Sequence, residues 1–147
     1  MALKIGILGA GAIGASIARA LYLNQVPFRL LTRSEARARE YNQTGIRFRS
    51  GKELTLIRLG VDQPHFAEEV GGRGDLDYLF LGMKTPALAA SLPQAWRELG
   101  PEGRIVLLQN GLPEDTLPLS DRERERIVAG IVGYNVQRLS DGVFYQS

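Results

Sequence analysis

Ile5-Gly6-Ile7-Leu8-Gly9-Ala10-Gly11-Ala12-Ile13-Gly14 is the stretch that decides the fold. The apolar run starting at Leu3 stops at a glycine, and Ile13, Ile17 and Leu21 then recur at helical spacing until Asn24 and Pro27 supply stop signals. Strand, glycine turn and helix in that order give G-x-G-x-x-G its mechanism. Gly9 permits a tight turn, Gly11 lets the backbone approach a pyrophosphate, and Gly14 allows the helix to pack closely on the strand. The unpaired N–H groups at the helix start can then meet the diphosphate. Gly9, Ala10, Gly11, Ala12, Ile13 and Gly14 are therefore the expected dinucleotide-binding loop; the alternative is a glycine turn that merely packs.

Outward from this loop, Phe28 to Thr32 reads as a second strand, and Ser34 as the N-cap of a helix opening with Glu35-Ala36-Arg37-Ala38-Arg39-Glu40. Between Gly45 and Leu59, Ile46 and Phe48 alternate with Arg47 and Arg49, and Ser50-Gly51-Lys52 turns a hairpin. A short helix is expected over Pro64 to Val70, a loop at Gly71-Gly72-Arg73-Gly74, and a strand from Asp77 to Met83. Pro86 opens a helix to about Leu99, which Gly100-Pro101-Glu102-Gly103 closes before a strand from Arg104 to Gln109. Glu114 to Arg126 reads as partly helical, Ile127 to Val132 as a strand, and Ser140-Asp141-Gly142 as the turn of a hairpin into Val143 to Gln146. Strands alternating with helices imply right-handed crossovers. The expected class is α/β, a Rossmann-like, doubly wound, mainly parallel sheet with helices on both faces and a C-terminal hairpin, in one domain over 1–147.

The 147 residues, 44% of them apolar, suffice for one core of ordinary domain size. Eighteen Lys plus Arg against sixteen Asp plus Glu leave a net charge of +2, too even a balance to announce a nucleic-acid binder. The Arg-rich hairpin lacks the aromatic platform that single-stranded nucleic acid would need. Without cysteine there is no disulfide, thiolate-bound metal or thiol catalysis, and His65 alone makes no multi-histidine metal site. The longest uncharged stretch, Ile5 to Ala18, falls short of the roughly 18 residues of a membrane helix. Ala18-Arg19-Ala20 imitates a signal cleavage site, but the glycines at 6, 9, 11 and 14 argue against one. A cytoplasmic protein without metal or membrane contact is expected.

A site of this kind that prefers NAD carries Asp or Glu about 20 residues past the glycines. Thr32-Arg33-Ser34 stands there instead. A guanidinium takes a 2′-phosphate bidentately, with Ser34 or Thr32 as an added donor and Arg37 as reinforcement, so the expected cofactor is NADP (NADPH). The competing reading makes Arg29, Arg33, Arg37 and Arg39 a solvated basic face partnered by Glu35 and Glu40, and Glu35 is also near enough to serve as a ribose ligand. Open α/β sheets bind ligands outside the carboxyl ends of their strands, where Lys84 and Asn110-Gly111 fall. An ammonium at position 84 could bind a ribose hydroxyl or an anionic substrate; an ordinary strand-end charge and an N-G turn are the bland alternatives.

The strand–GAGAIG–helix opening, Arg33, Gly45-Ile46-Arg47, Met83-Lys84-Thr85, Gln109-Asn110-Gly111-Leu112 and Gly130-Ile131-Val132-Gly133 together resemble the amino-terminal domain of ketopantoate reductase (2-dehydropantoate 2-reductase). The likeness spans essentially the whole chain. It implies an oxidoreductase that reduces the 2-oxo acid 2-dehydropantoate to pantoate with NADPH, in pantothenate biosynthesis. It also implies that Arg33 holds the 2′-phosphate, Lys84 sits by the cofactor ribose and substrate, and Asn110 contacts the nicotinamide end and substrate. Pro113 departs from the small flexible residue more usual after that motif. Family members continue into a helical domain bearing the lysine proton donor, which no residue here matches. The chain alone is accordingly expected to bind cofactor but reduce little substrate, with an exposed interdomain face open to homodimer formation. A non-catalytic NADP(H)-binding sensor is the alternative function.

Overall fold

The computed structural model describes residues 3–59, 65–66, 72–108, 117–130, 135–140 and 142–146. Six strands form one parallel sheet: β1 (Ile5–Leu8), β2 (Arg29–Thr32), β5 (His65–Phe66), β6 (Leu76–Leu81), β7 (Leu99–Leu107) and β8 (Ile127–Ala129). Their spatial order, β5-β2-β1-β6-β7-β8, reverses direction between β1 and β6, which is the Rossmann arrangement with its switch point beside β1. Every residue of β2 is buried, as expected for a strand covered on both faces.

Helices α1 (Ala12–Leu23) and α2 (Glu35–Thr44) lie on one face and α3 (Thr85–Glu98) on the other; a short α4 (Asp121–Glu125) precedes β8. The two cores follow from this layering. Leu88, Leu92 and Ala95 of α3 pack with Leu79, Leu81, Ile105 and Leu107, while Ala15 and Ala18 of α1 and Tyr41 of α2 pack with Ile7 and Leu30. The second core continues into Ile46, Phe48, Ile57 and Phe144, which belong to a further sheet.

That sheet has the order β4-β3-β10-β9, from β3 (Ile46–Ser50), β4 (Glu53–Ile57), β9 (Val136–Arg138) and β10 (Phe144–Gln146). Both expected hairpins form, and they join through a parallel β3/β10 pairing that aligns Phe48 with Phe144. Along β3, Ile46 and Phe48 are buried and Arg47 and Arg49 exposed, so one face covers α1 and the other meets water.

Two expectations are corrected. Within the expected helix over 64–70, His65–Phe66 is instead an edge strand paired with Leu31 and Thr32. The outer edge of β2 has backbone groups to satisfy, and pairing outweighs weak local propensity. The Gly100-Pro101-Glu102-Gly103 segment does not precede β7 but lies inside it, at a register irregularity where Leu76 faces Leu99 and Tyr78 already faces Arg104. Pro101 has no N–H to give to the ladder, which favours such a break. Gln109-Asn110-Gly111-Leu112, Pro113 and Ile131-Val132-Gly133 lie outside the described residues.

Candidate functional site

Three neighbouring strands, β2, β1 and β6, run in parallel, and their carboxyl ends carry Arg33, the Gly9-to-Gly14 loop and Lys84 respectively. The loop is built from backbone. Gly9 has φ +102°, a conformation that glycine alone adopts without strain. Its N–H donates to the Leu31 carbonyl at 2.8 Å, and the Gly82 N–H donates to the Leu8 carbonyl at 2.8 Å, stitching the turn to both flanking strands. A Cβ on Gly14 would overlap the Gly9 carbonyl oxygen. This is the close approach expected of the third glycine of the motif.

Gly82 completes the contact and was not singled out from the sequence. A Cβ there would come within 2.7 Å of the Gly9 carbonyl oxygen and 2.9 Å of the Gly14 Cα. The signal was a glycine interrupting the apolar run Leu81-Gly82-Met83, which in a strand marks a close backbone approach.

Gly11 behaves differently. It is the N-cap of α1, exposed, with φ −83°, and among the described residues an added Cβ would meet only the Gly82 carbonyl oxygen at 3.8 Å. The helix has no side-chain cap and no acidic residue in its first turn. Its first N–H groups thus lack intrahelical partners, and among the described residues no acid of its first turn compensates the positive end of its dipole. Those are the features of an anion cradle.

At the β2 exit the four arginines do not form a single basic face. Arg29 is buried at the opposite end of the strand, bonded to Glu98 at 2.5 Å and to Asp75 at 3.3 Å. Arg39 pairs with Glu35. Arg37 is half-buried, pairs with Glu40 at 3.9 Å and has its guanidinium 5.7 Å from the centre of the Tyr41 ring, so Glu35 and Glu40 partner Arg39 and Arg37 as the competing reading expected. Arg33 is exposed, and among the described residues no carboxylate pairs with it. The Thr32 hydroxyl is buried and donates to the Ser34 carbonyl at 2.8 Å, while Ser34 caps α2 by accepting from the Arg37 N–H at 3.2 Å. Thr32 is therefore a structural residue, and the exposed Ser34 is the hydroxyl left beside Arg33.

Lys84 is exposed at the N-cap of α3, two residues beyond Gly82, and no ion pair to it occurs among the described residues. Asn110 is not among those residues, so of the expected site residues the structure places the loop, Arg33 and Lys84 at the exits of three neighbouring strands. Tyr41 was also missed from the sequence. Only 3% exposed, its hydroxyl donates to the Ala10 carbonyl at 3.3 Å and ties α2 to the loop. The available signal was a lone aromatic in a polar helix, since a buried phenol needs a partner. Among the described residues no cluster of His, Cys, Asp or Glu is arranged to hold a metal ion, and no helix is long and apolar enough to cross a membrane.

The strand order and the glycine turn at its switch point define an α/β domain of the Rossmann type. A sequence model described as Ketopantoate reductase PanE/ApbA matches residues 5–147. The chain belongs to that family, whose members are oxidoreductases.

Among solved structures, the probable 2-dehydropantoate 2-reductase panE of Bacillus subtilis is 27% identical with a TM-score of 0.74, the alignment covering 99% of this chain and 46% of that one. The 2-dehydropantoate 2-reductase of Geobacter metallireducens GS-15 is also 27% identical, with a TM-score of 0.70 and coverage of 98% and 46%. D-mandelate dehydrogenase, solved with NADH and anilino(oxo)acetate, shares the fold at 19% identity and a TM-score of 0.79, with coverage of 99% and 46%. This chain thus spans about half the length of the structures it matches. No curated protein matches it.

Proposed function

We propose that this chain is the NADP(H)-binding part of a 2-oxo acid reductase of the 2-dehydropantoate 2-reductase type, acting in the cytoplasm on a small anionic substrate. The observation that carries the reading is Arg33: an exposed guanidinium without a carboxylate partner among the described residues, at the β2 exit where an NAD site holds an acid, beside an uncapped helix N-terminus. The residues fit the group. Gly11 leaves open the space a Cβ would fill, so the loop from Gly9 through Ala10, Gly11, Ala12 and Ile13 to Gly14 would hold the pyrophosphate. Arg33 would take the 2′-phosphate as a planar fork, with Ser34 beside it. D-mandelate dehydrogenase, with the same fold, was solved with NADH, so the fold alone does not argue for NADP and the reading leans on Arg33.

When bound, NADPH supplies a hydride. The roles of the chain are to orient and to neutralise. Lys84, at the β6 exit, would bind the cofactor ribose and the substrate carboxylate, and Asn110 by resemblance would contact the nicotinamide end and substrate. Hydride addition to a ketone leaves an alkoxide that needs a proton from a group within hydrogen-bond reach. Asn110 is no acid, and the resemblance assigns that proton to a lysine of the family's helical domain.

Calorimetric titration with NADPH and NADH tests the reading. Tighter binding of NADPH, with the preference lost in Arg33→Ala, is expected; equal affinities in the wild type would retire the NADP assignment. Tight cofactor binding with no turnover of any 2-oxo acid, even when the helical domain of a relative is supplied, would favour a sensor of NADP(H).

A further inference from the structure

Tyr41 links the two halves of the candidate site. Its hydroxyl accepts a hydrogen bond from the Arg37 guanidinium at 3.2 Å and donates its own proton to the Ala10 carbonyl at 3.3 Å. Because the phenol has one proton, the donor on its acceptor side leaves that proton free for Ala10. The peptide unit between Ala10 and Gly11 is planar and trans, so a carbonyl turned toward Tyr41 sends the Gly11 N–H the opposite way. Gly11 is also the loop residue whose side-chain position is open.

We infer that Tyr41 is a positioning residue for the dinucleotide, fixing the Ala10–Gly11 peptide so that the Gly11 N–H is presented to the pyrophosphate. The inference rests on the proposed cofactor and deepens it. At 3.3 Å the bond to Ala10 is long for a hydroxyl donor. An anion accepting from the Gly11 N–H polarises the same peptide unit, makes the Ala10 oxygen a better acceptor, and tightens the bond, so the two interactions reinforce each other. Arg37, on the next turn of α2 from the Ser34 cap, thereby acts on the loop through Tyr41.

The decisive variant is Tyr41→Phe, which keeps the buried ring and removes the proton. Its affinities for NADPH and for NADH are expected to fall by the same factor, about fivefold for one net hydrogen bond, because both cofactors share the pyrophosphate. Arg33→Ala should instead weaken NADPH alone. In the amide spectrum of the cofactor-free protein, the Gly11 resonance should move in Tyr41→Phe while that of Gly51, in the distant hairpin turn, stays in place. Arg37→Leu keeps the phenol and its proton while removing the donor to it, along with the exposed pair to Glu40 and the cation over the ring, and serves as the milder variant if Tyr41→Phe does not fold; it should shift Gly11 in the same direction.

Unchanged affinities for both cofactors in Tyr41→Phe overturn the inference, and so does an unmoved Gly11 amide. Loss confined to NADPH also overturns it, since Tyr41 would then act on the 2′-phosphate side. Wild-type protein that binds neither cofactor refutes the proposed function itself, and with it any cofactor role for Tyr41, whatever the Gly11 amide does.

Discussion

Gly11 and Gly14 are three residues apart in one motif, yet alanine at each should do opposite things. At Gly14 the new methyl would overlap the Gly9 carbonyl oxygen, a backbone atom whose own amide is bonded to Leu31. No rotamer relieves that, so α1 must lift from β1 or the turn must distort. Forced overpacking costs typically about 1–3 kcal/mol, and a rigid backbone contact belongs at the upper end. For a chain of this size, about 3 kcal/mol lowers Tm by roughly 10 °C. At Gly11 the methyl meets, among the described residues, only the Gly82 oxygen at 3.8 Å, an ordinary contact, and φ −83° suits any residue. Alanine is a poorer N-cap than glycine, but it also restricts the unfolded chain, and the two effects, each up to about 1 kcal/mol, oppose one another. Gly11→Ala should therefore melt within a few degrees of wild type while losing cofactor. Denying the pyrophosphate one charge-assisted hydrogen bond, worth about 1.5–3 kcal/mol, weakens NADPH binding roughly tenfold or more. Thermal unfolding and calorimetry on both variants check this. A Gly11→Ala protein that binds NADPH like wild type would remove the loop from the site, and a Gly14→Ala protein of normal stability would falsify the packing argument.

Other outcomes follow from the same contacts. Glu98→Ala strips the fully buried partner from Arg29 and should cost about 3 kcal/mol, near the lower end for a broken buried pair because Asp75 remains, with cofactor affinity unchanged; thermal melts and calorimetry read both. Thr32→Val should lower stability by about 1 kcal/mol through the lost bond to the Ser34 carbonyl, and the ratio of NADPH to NADH affinity should stay as in wild type. The purified 147-residue chain should bind NADPH but reduce 2-dehydropantoate negligibly in an absorbance assay. Robust turnover abolished by Lys84→Ala would make Lys84 the proton donor.

What could be read in advance was what a single segment encodes. The glycine turn was legible because Gly9 and Gly14 answer local demands, a positive φ and a close helix–strand approach, whereas Arg33 stood out only as a departure from the acid at a known offset from that turn. Gly82 and Tyr41 touch the loop from other strands and helices, so their roles depend on long-range contacts that periodicity does not carry. The mixed sheet was hidden for the same reason: Phe48 and Phe144 belong to separate hairpins, each readable alone, and only their parallel pairing makes one sheet. A two-residue strand such as His65–Phe66 has no alternation to detect, and the bulged segment at Pro101 looks locally like a loop.

The two ends of the parallel sheet are held together by different means, and the difference fits the cofactor site proposed at the carboxyl ends. At the amino ends, Arg29, Glu98, Asp75 and Lys4 form a chain of ion pairs around a buried guanidinium, and Gln94 donates to Glu98. Such an arrangement fixes strand ends firmly but fills the space between them with side chains. At the carboxyl ends, a ligand can approach only if side chains are absent, so Gly9, Gly14 and Gly82 press backbone against backbone and the order comes from main-chain hydrogen bonds to Leu31 and Leu8. Glycine brings the larger entropy cost of ordering, which leaves such a loop in need of an anchor that does not enter the open side. Tyr41 meets that condition, because it reaches the Ala10 carbonyl from α2 within the core and leaves the space at Gly11 free.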